Sequence, residues 1–361
     1  MTHITTDPFQ ALTFSCGKTV KNRFILAPLT NLQSHLDGTL SDDEYHWLTM
    51  RAEGGFGLTM TCAAHVQAAG QGFPGQLGVF SDEHIPGLTR LADGIRQHNS
   101  LSMVQLHHAG MRSPADVIGQ TPLCPSDNEE TGARAMTLAE VEQLTEDFIA
   151  AAVRAEKAGF DGVELHGAHG YMLAQFLSAS INQRTDRYGG CLENRGRIIR
   201  DIIDGVRARC SSEFILGIRL SPERFDLQLA DIIEFSQTLL NDGKLDFIDM
   251  SLWDVFKEPQ EEQYQGRTLL SYFSELDRGN TALGVAGKLR TPEDIRRAMA
   301  ENIDFVMLGR AAIVHHNYPQ LMHADNRWQP LSNPVSVAHL RSEGLGEKFI
   351  QYMRSWKGFV E

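Results

Sequence analysis

Short apolar runs recur along this chain, and amphipathic segments fill the gaps between them. Eight of the runs read as strands: "RFILAP" (23–28), "GLTMTCA" (57–63), "SMVQLH" (102–107), "GVELHG" (162–167), "FILGIRLS" (214–221), "FIDMSL" (247–252), "ALGVAG" (282–287) and "FVMLGR" (305–310). They hardly alternate between apolar and polar, as expected of strands buried on both faces in a parallel sheet. The gaps carry helix signals. Thr137 with Glu140 forms a capping-box pattern ahead of a long helical run that stops at Gly159. Thr291 and Pro292 suit an N-cap and first helical residue. Segments 41–55, 81–98, 193–209 and 230–243 are amphipathic, whereas a sixth helix within 266–280 is poorly marked.

Eight strand–helix alternations leave a closed (β/α)8 TIM barrel or an open doubly wound sheet, and the count favours the α/β barrel. Residues 12–22 would form an N-terminal β-hairpin plugging the barrel bottom. No linker or charge run divides the chain, so residues 1–361 are expected to make a single domain. "GQGFPG" (70–75) has the spacing of a dinucleotide fingerprint. Pro74 sits inside it and no amphipathic helix begins at its last glycine, so a flexible loop is expected instead.

Composition narrows the function. With 33 basic against 46 acidic residues, the formal net charge is -13. Such a surface repels nucleic acid and anionic membranes, so neither is expected as a partner. The five cysteines (Cys16, Cys62, Cys124, Cys191, Cys210) are scattered without a C-x-x-C pair. That pattern suits reduced thiols, not a disulfide framework, an iron–sulfur cluster or a thiolate zinc site. The N-terminus resembles no signal peptide, and no apolar run approaches a membrane span. A cytoplasmic protein is expected.

Barrel sites form where strands end. Here those ends offer Ala27-Pro28-Leu29-Thr30, Ala63, Gln105 with His107 and His108 beyond, and His166 with His169 and Tyr171. Further round come Arg219, Ser251 and Trp253, Ala286-Gly287-Lys288 and Gly309-Arg310. Glycine-bearing backbone followed by helical segments, beside Lys288 and Arg310, is the usual phosphate cradle after the last two strands. Gln105 can donate and accept at once and so pair with a pyrimidine-like edge. Arg219 is a fixed cation suited to charge gathering on a reduced ring. Thr30 adds a hydroxyl, and small Ala63 leaves room. A phosphate at one end and such a ring at the other point to FMN. For His166, His169 and Tyr171 a metal site lacks a third ligand at recognisable spacing, so no metal is expected.

The segments "KNRFILAPLT" (21–30), "MVQLHHAGM" (103–111), "AGFDGVELHGAHGYMLAQFLS" (158–178), "NQRTDRYGGCLENR" (182–195), "GIRLS" (217–221) and "VMLGRA" (306–311) resemble the old yellow enzyme family of FMN-dependent ene-reductases. The likeness spans nearly the whole chain. It implies non-covalent FMN held by Ala27, Pro28, Leu29, Thr30, Ala63, Gln105, Arg219, the backbone of Ala286, Gly287 and Lys288, and Gly309 with Arg310. NADPH or NADH would reduce it. His166 and His169 would hold the activating oxygen of an electron-poor alkene, which takes hydride from flavin N5 and a proton from Tyr171. Trp253 could line the substrate pocket or merely pack. His107 and His108 are read as loop structure. Arg184, Asp186, Arg187 and Tyr188 are read as a bracing network. Arg354 and Trp356 resemble the place where some members send an arginine into a neighbouring subunit, so a homo-oligomer stays open, but a surface role is the simpler reading.

The pattern is mixed. One branch of the family has cysteine at the Thr30 position and tyrosine soon after, where this chain has Asn31 and Leu32. Another has asparagine where His169 stands. Two rival functions therefore accompany the ene-reductase reading: an oxidative demethylase or dehydrogenase of the same family, and a flavin-free phosphosugar-binding barrel.

Overall fold

In the computed structural model, which describes residues 6–361, eight parallel strands close into a barrel in chain order. They are β1 (Phe24–Leu26), β2 (Leu58–His65), β3 (Leu101–His107), β4 (Gly162–Gly167), β5 (Ile215–Leu220), β6 (Phe247–Ser251), β7 (Ala282–Ala286) and β8 (Phe305–Leu308). The (β/α)8 expectation holds. Thr137 and Thr291 cap their helices through reciprocal bonds with Glu140 and Asp294. The weakly marked sixth helix is one turn, Ser271–Ser274. Segment 193–209 is not continuous but breaks at Gly196, where Phe235 packs so closely that a Cβ would lie 2.3 Å from its ring. Beyond β8, the short helix Arg310–Val314 and a C-terminal pair, Val337–Ser342 and Glu347–Arg354, bring the chain back over the rim.

Residues two apart on a strand share a face, which sorts the interior into layers. Lowest are Ile25, Leu58, Met60, Met103, Ile215, Phe247 and Phe305, in one cluster with Phe14 and Val20 of the expected hairpin. The Phe247 and Phe305 rings meet perpendicularly at 5.4 Å, and Phe14 lies 5.8 Å from Phe247. Glycine makes room for them. A Cβ on Gly217 would lie 2.1 Å from Phe247, and one on Gly284 would lie 1.9 Å from Phe305.

Polar anchors fix the strand starts. Asp161, Asp246 and Asp304 directly precede β4, β6 and β8, and each accepts an N–H from the strand before: Ser102 at 2.9 Å, Leu216 at 2.8 Å and Leu283 at 2.8 Å. Asp246 also accepts from Ser15 Oγ and Cys16 N at 2.6 and 2.8 Å, pinning the hairpin into the barrel. Burial pushes the Asp246 carboxyl up, but these bonds and Arg207 outweigh it and hold it below the usual range.

Gly284→Ala is expected to overpack this layer and destabilise the fold by about 1–3 kcal/mol. Phe305→Leu in the same background should recover part of the loss. Chemical denaturation of wild type, Gly284→Ala and the double variant measures it, and an unchanged Gly284→Ala midpoint would contradict the packing.

Candidate active site

The C-terminal rim opens on a cavity of ≈ 570 Å³ that adjoins a second of ≈ 340 Å³; Pro28, Leu29, His169, Arg219, Trp253 and Trp356 line both. Ala27, Ala286, Gly287, Lys288, Gly309 and Arg310 line the larger. Thr30, Ala63, Gln105, His166 and Tyr171 line the smaller. All the strand-end residues expected to act together therefore face one continuous space, of a size that suits a nucleotide-like ligand.

In the larger part, Gly287 has φ +151°, and a Cβ there would lie 2.9 Å from the Trp253–Asp254 backbone. Glycine is what lets the β6 and β7 loops touch. The Lys288 ammonium turns away to Asp254 at 3.0 Å. The free positive charge comes instead from Arg310 and from Arg290, which strand-end reasoning missed because it lies beyond the β7 terminus. Burial, then the charge of Arg290, pushes the Arg310 guanidinium down from its ordinary value. Among the described residues neither forms an ion pair, and two neighbouring cations of this kind suit a dianionic phosphate. Gly309 caps Arg310–Val314 and accepts from Ala312 N at 2.9 Å, so of the first turn the Arg310 and Ala311 N–H groups face the phosphate end. Fully buried Arg51 holds that helix in place by donating to Ala312 O at 3.2 Å and, through Nη1, to Glu343 O at 2.6 Å.

The smaller part rests on buried charge. A bulge between Met60 and Ala63 shifts β2 so that Ala63 pairs with Gln105. Gln105 Nε2 donates to Glu164 at 2.7 Å, which leaves its carbonyl and second N–H for a ligand. Arg219 Nε lies 2.9 Å from Asp249, close but not aligned as a hydrogen bond. Burial raises both carboxyls, and the Asp249 charge raises Glu164 further. Beside Thr30, Asn31 donates to buried Glu44 at 3.1 Å and accepts from Gln33 N at 3.0 Å, so the residue that departs from the family pattern anchors its loop.

The histidines converge. His166 Nε2 and His169 Nδ1 are 3.4 Å apart. His169 sits at φ +61°, a region non-glycine residues seldom adopt. Its N–H donates to Ser221 Oγ at 2.9 Å, and its Nε2 meets Ser251 Oγ at 2.7 Å. Ser251 also accepts from Arg219 at 3.4 Å, so its own proton goes to His169 Nε2 and the imidazole proton is left on Nδ1. Burial, then the charges of Arg219 and Arg112, pushes His169 down to about 3. Burial and the neighbouring histidines push His166 and His107 down as well. All three are neutral at neutral pH.

Tyr171 precedes the helix Met172–Leu177. Buried Gln175 there donates to Gly170 O and Ala109 O and accepts from Met111 N, stapling the β3 and β4 loops together. His107, read as loop structure, lines the cavity and meets the Tyr171 ring edge-on at 4.5 Å; His108 packs against Gly70 instead. Trp253 is 55% exposed and lines both parts. Tyr352 and Met353 from the C-terminal helix, and Trp356 just beyond it, also line this chain's own cavity, whereas Arg354 does not. Sequence carried no signal for Phe73, Arg112, Arg224, Phe225 or Tyr352, which arrive from loops and from the C-terminal return. Arg184 pairs with Asp186, Arg187 with Glu142 and Tyr188 with Asp201, the expected brace. Among the described residues no helix is long and apolar enough to cross a membrane.

Comparison with known proteins agrees with this geometry. A family model described as the NADH:flavin oxidoreductase / NADH oxidase family matches residues 8–327. A probable NADH-dependent flavin oxidoreductase of Bacillus subtilis is 36% identical over 321 residues, 86% of each chain. An NADPH dehydrogenase of Listeria innocua is 32% identical over 350 residues, 94% of this chain and 96% of its own. The structure of an old yellow enzyme homologue from Zymomonas mobilis superposes with TM-score 0.80 at 26% identity, covering 93% of this chain and 96% of that one.

Replacing Arg290 and Arg310 by glutamine is expected to weaken FMN binding about tenfold or more for each arginine, the scale of a charge-assisted bond. Riboflavin, which lacks the phosphate, should bind wild type and variant alike. Fluorescence titration of apoprotein with both ligands decides. A second expectation concerns pH. His166, His169 and His107 are depressed when folded, so the unfolded chain takes up the extra protons. Their contribution to stability is complete above about pH 6.5 and declines as pH falls toward 3. His169→Asn should flatten the slope of unfolding free energy below pH 6 by about 1.4 kcal/mol per pH unit, read from denaturant titrations at stepped pH.

Proposed function

The chain belongs to the NADH:flavin oxidoreductase / NADH oxidase family, and from that premise we propose that it reduces the activated C=C bond of α,β-unsaturated carbonyl compounds. It is an FMN-dependent oxidoreductase with NADH or NADPH as reductant. A flavin-free phosphosugar barrel is thereby excluded. Bound FMN supplies hydride-transfer chemistry between the nicotinamide and the second substrate. Arg310 and Arg290 would hold its phosphate. Arg219, Gln105, Ala63 and the Ala27–Thr30 segment would hold the ring, with the Ala286–Lys288 and Gly309 backbone along the tail.

The pairing of His166 Nε2 with His169 Nδ1 carries this reading. As an alkene conjugated to a carbonyl takes up hydride, negative charge collects on the carbonyl oxygen. With the His166 proton on Nε2, two N–H groups whose nitrogens lie 3.4 Å apart can both turn to that oxygen, and removing one such donor typically costs about 3–4 kcal/mol of barrier stabilisation. Because the imidazoles are neutral, they donate without surrendering a proton to the oxygen. Their tautomer is not accidental, since Arg219 and Ser251 leave His169 its Nδ1 proton. Tyr171 then supplies a proton to the alkene carbon from the other side. Its ring is fixed by His107 at 4.5 Å and His166 at 5.3 Å. Oxidation of an amine would call for no donor pair aimed at an oxygen.

Tyr171→Phe is expected to slow reoxidation by cyclohexenone about 10²–10⁴-fold while reduction by NADPH or NADH proceeds as in wild type. Stopped-flow absorbance separates the two half-reactions. Equal rates for both proteins in the alkene step would remove Tyr171 as the acid.

A further inference from the structure

Two guanidinium groups line the smaller cavity, Arg112 and Arg224, and apart from the field of Arg112 at His169 the chemistry described so far uses neither. Arg184, Arg195 and Arg219 all face carboxylates. Arg112 and Arg224 form no ion pair among the described residues, in a chain with 46 acidic residues. Arg112 donates to the carbonyl of His169, and its guanidinium lies 4.6 Å over the Tyr171 ring. Arg224 lies 4.1 Å over the Trp253 ring. Stacking positions each cation without neutralising it and leaves in-plane donors free.

The backbone under Arg224 is held in an unusual shape. Arg224, Phe225 and Asp226 have φ of +68°, +53° and +59°, and Trp253 opposite has +65°. Such angles cost free energy in residues other than glycine and persist only where the surroundings impose them. Here buried Glu223 accepts from Lys257 and from Gln260 N, while Ser178 Oγ donates to Asp226 O at 2.8 Å. Arg224 therefore projects from a braced strap, not from a loose surface arm.

We propose that Arg112 and Arg224 form an anion clamp, so that the alkene this enzyme prefers carries a carboxylate close to its reacting carbonyl. The inference rests on the alkene-reduction reading and adds the substrate class. Distance favours a substrate carboxylate over a nicotinamide phosphate. Arg112 touches His169 and covers Tyr171, so an anion held there lies within the span of a short keto acid from the histidine pair. A dinucleotide places a ribose between its nicotinamide and its first phosphate. The overall charge of -13 repels anions at long range, so any preference for one must arise locally.

A pair of substrates tests the clamp: acetylacrylate and its methyl ester, of which only the first is charged and whose other differences cancel when wild type and variant are compared. Hydride from NAD(P)H and one proton add across the C=C of either, giving levulinate or methyl levulinate. In wild-type holoenzyme the ratio of kcat/KM for acid over ester is expected to fall about tenfold in Arg224→Gln and further in the double variant with Arg112→Gln. Arg224→Lys should retain part of it, and raising ionic strength toward about 1 M should shrink it. Binding gives an independent readout. Levulinate should perturb the absorbance of oxidised holoenzyme at a lower concentration than methyl levulinate, and Arg224→Gln should weaken levulinate alone. A ratio unmoved by Arg224→Gln overturns the clamp, even if ester and cyclohexenone are reduced normally. A variant defect confined to bleaching by NADPH, with NADH spared, would assign the arginines to the dinucleotide and also overturn it. Failure to reduce acid, ester and cyclohexenone alike would fall on the alkene reading itself, and the clamp would go with it.

Discussion

The structure turns on a layer of charge buried halfway up the barrel. Glu164, Asp249, Arg219 and Gln105 project inward above the Phe247–Phe305 layer, and Glu164 and Asp249 are fully buried. Taking such groups out of water costs several kcal/mol per ion unless they are paired. One guanidinium balances one carboxylate, so the second carboxyl is best carried as the neutral acid. Burial drives both carboxyls up in that sense. The arrangement fixes Arg219 and Gln105 from beneath, where no ligand can displace their partners, and leaves their upper edges to the cavity. What the layer costs in desolvation is offset by holding two ligand-binding groups in one geometry.

The same two-residue step along each strand sets what stands above and below that layer. On β6 the inward series is Phe247, Asp249, Ser251; on β5 it is Ile215, Gly217, Arg219; on β4 it is Gly162, Glu164, His166. Apolar or glycine positions lie lowest, charge lies in the middle, and the residue facing the cavity stands at the rim or next to it. Ser251 thus meets His169, and Arg219 on the adjacent strand meets Ser251. The tautomer of a loop histidine is therefore set by strand register, and shifting β6 by one residue would turn Ser251 away from it.

This layering also explains what was legible beforehand. Strand number, order and the hairpin could be read because parallel strands leave near-continuous apolar runs. The rim residues could be read because barrel sites gather at strand ends. Glu164 and Asp249 escaped notice because both faces of these strands are buried, so a lone acid inside an apolar run does not say which way it points. Arg290, Arg112 and Arg224 escaped for another reason. Each lies past a strand end on a loop whose path is decided by tertiary contacts, such as Gln175 bridging Ala109 and Gly170 or Glu223 meeting Lys257. Asn31 looked like a departure from type. Its bond to buried Glu44 shows that the loop after β1 is anchored by a different residue, not left loose.

The C-terminal return completes the cavity, and its attachment is again a buried ion. Arg51 donates to Trp47, Ala312 and Glu343 carbonyls, with burial pushing it down to about 9. The Glu343 side chain accepts from His316, and burial is outweighed there by those bonds, which hold the carboxyl low. One guanidinium thereby joins three things: a barrel helix, the short helix that follows Gly309, and the segment leading to Tyr352 and Trp356. The end of the cavity suited to phosphate and the wall over its smaller part are mechanically one piece. A residue far from any reacting atom can then alter both how tightly a nucleotide sits and how the opposite wall is placed, because moving either end strips a buried charge of part of its bonding.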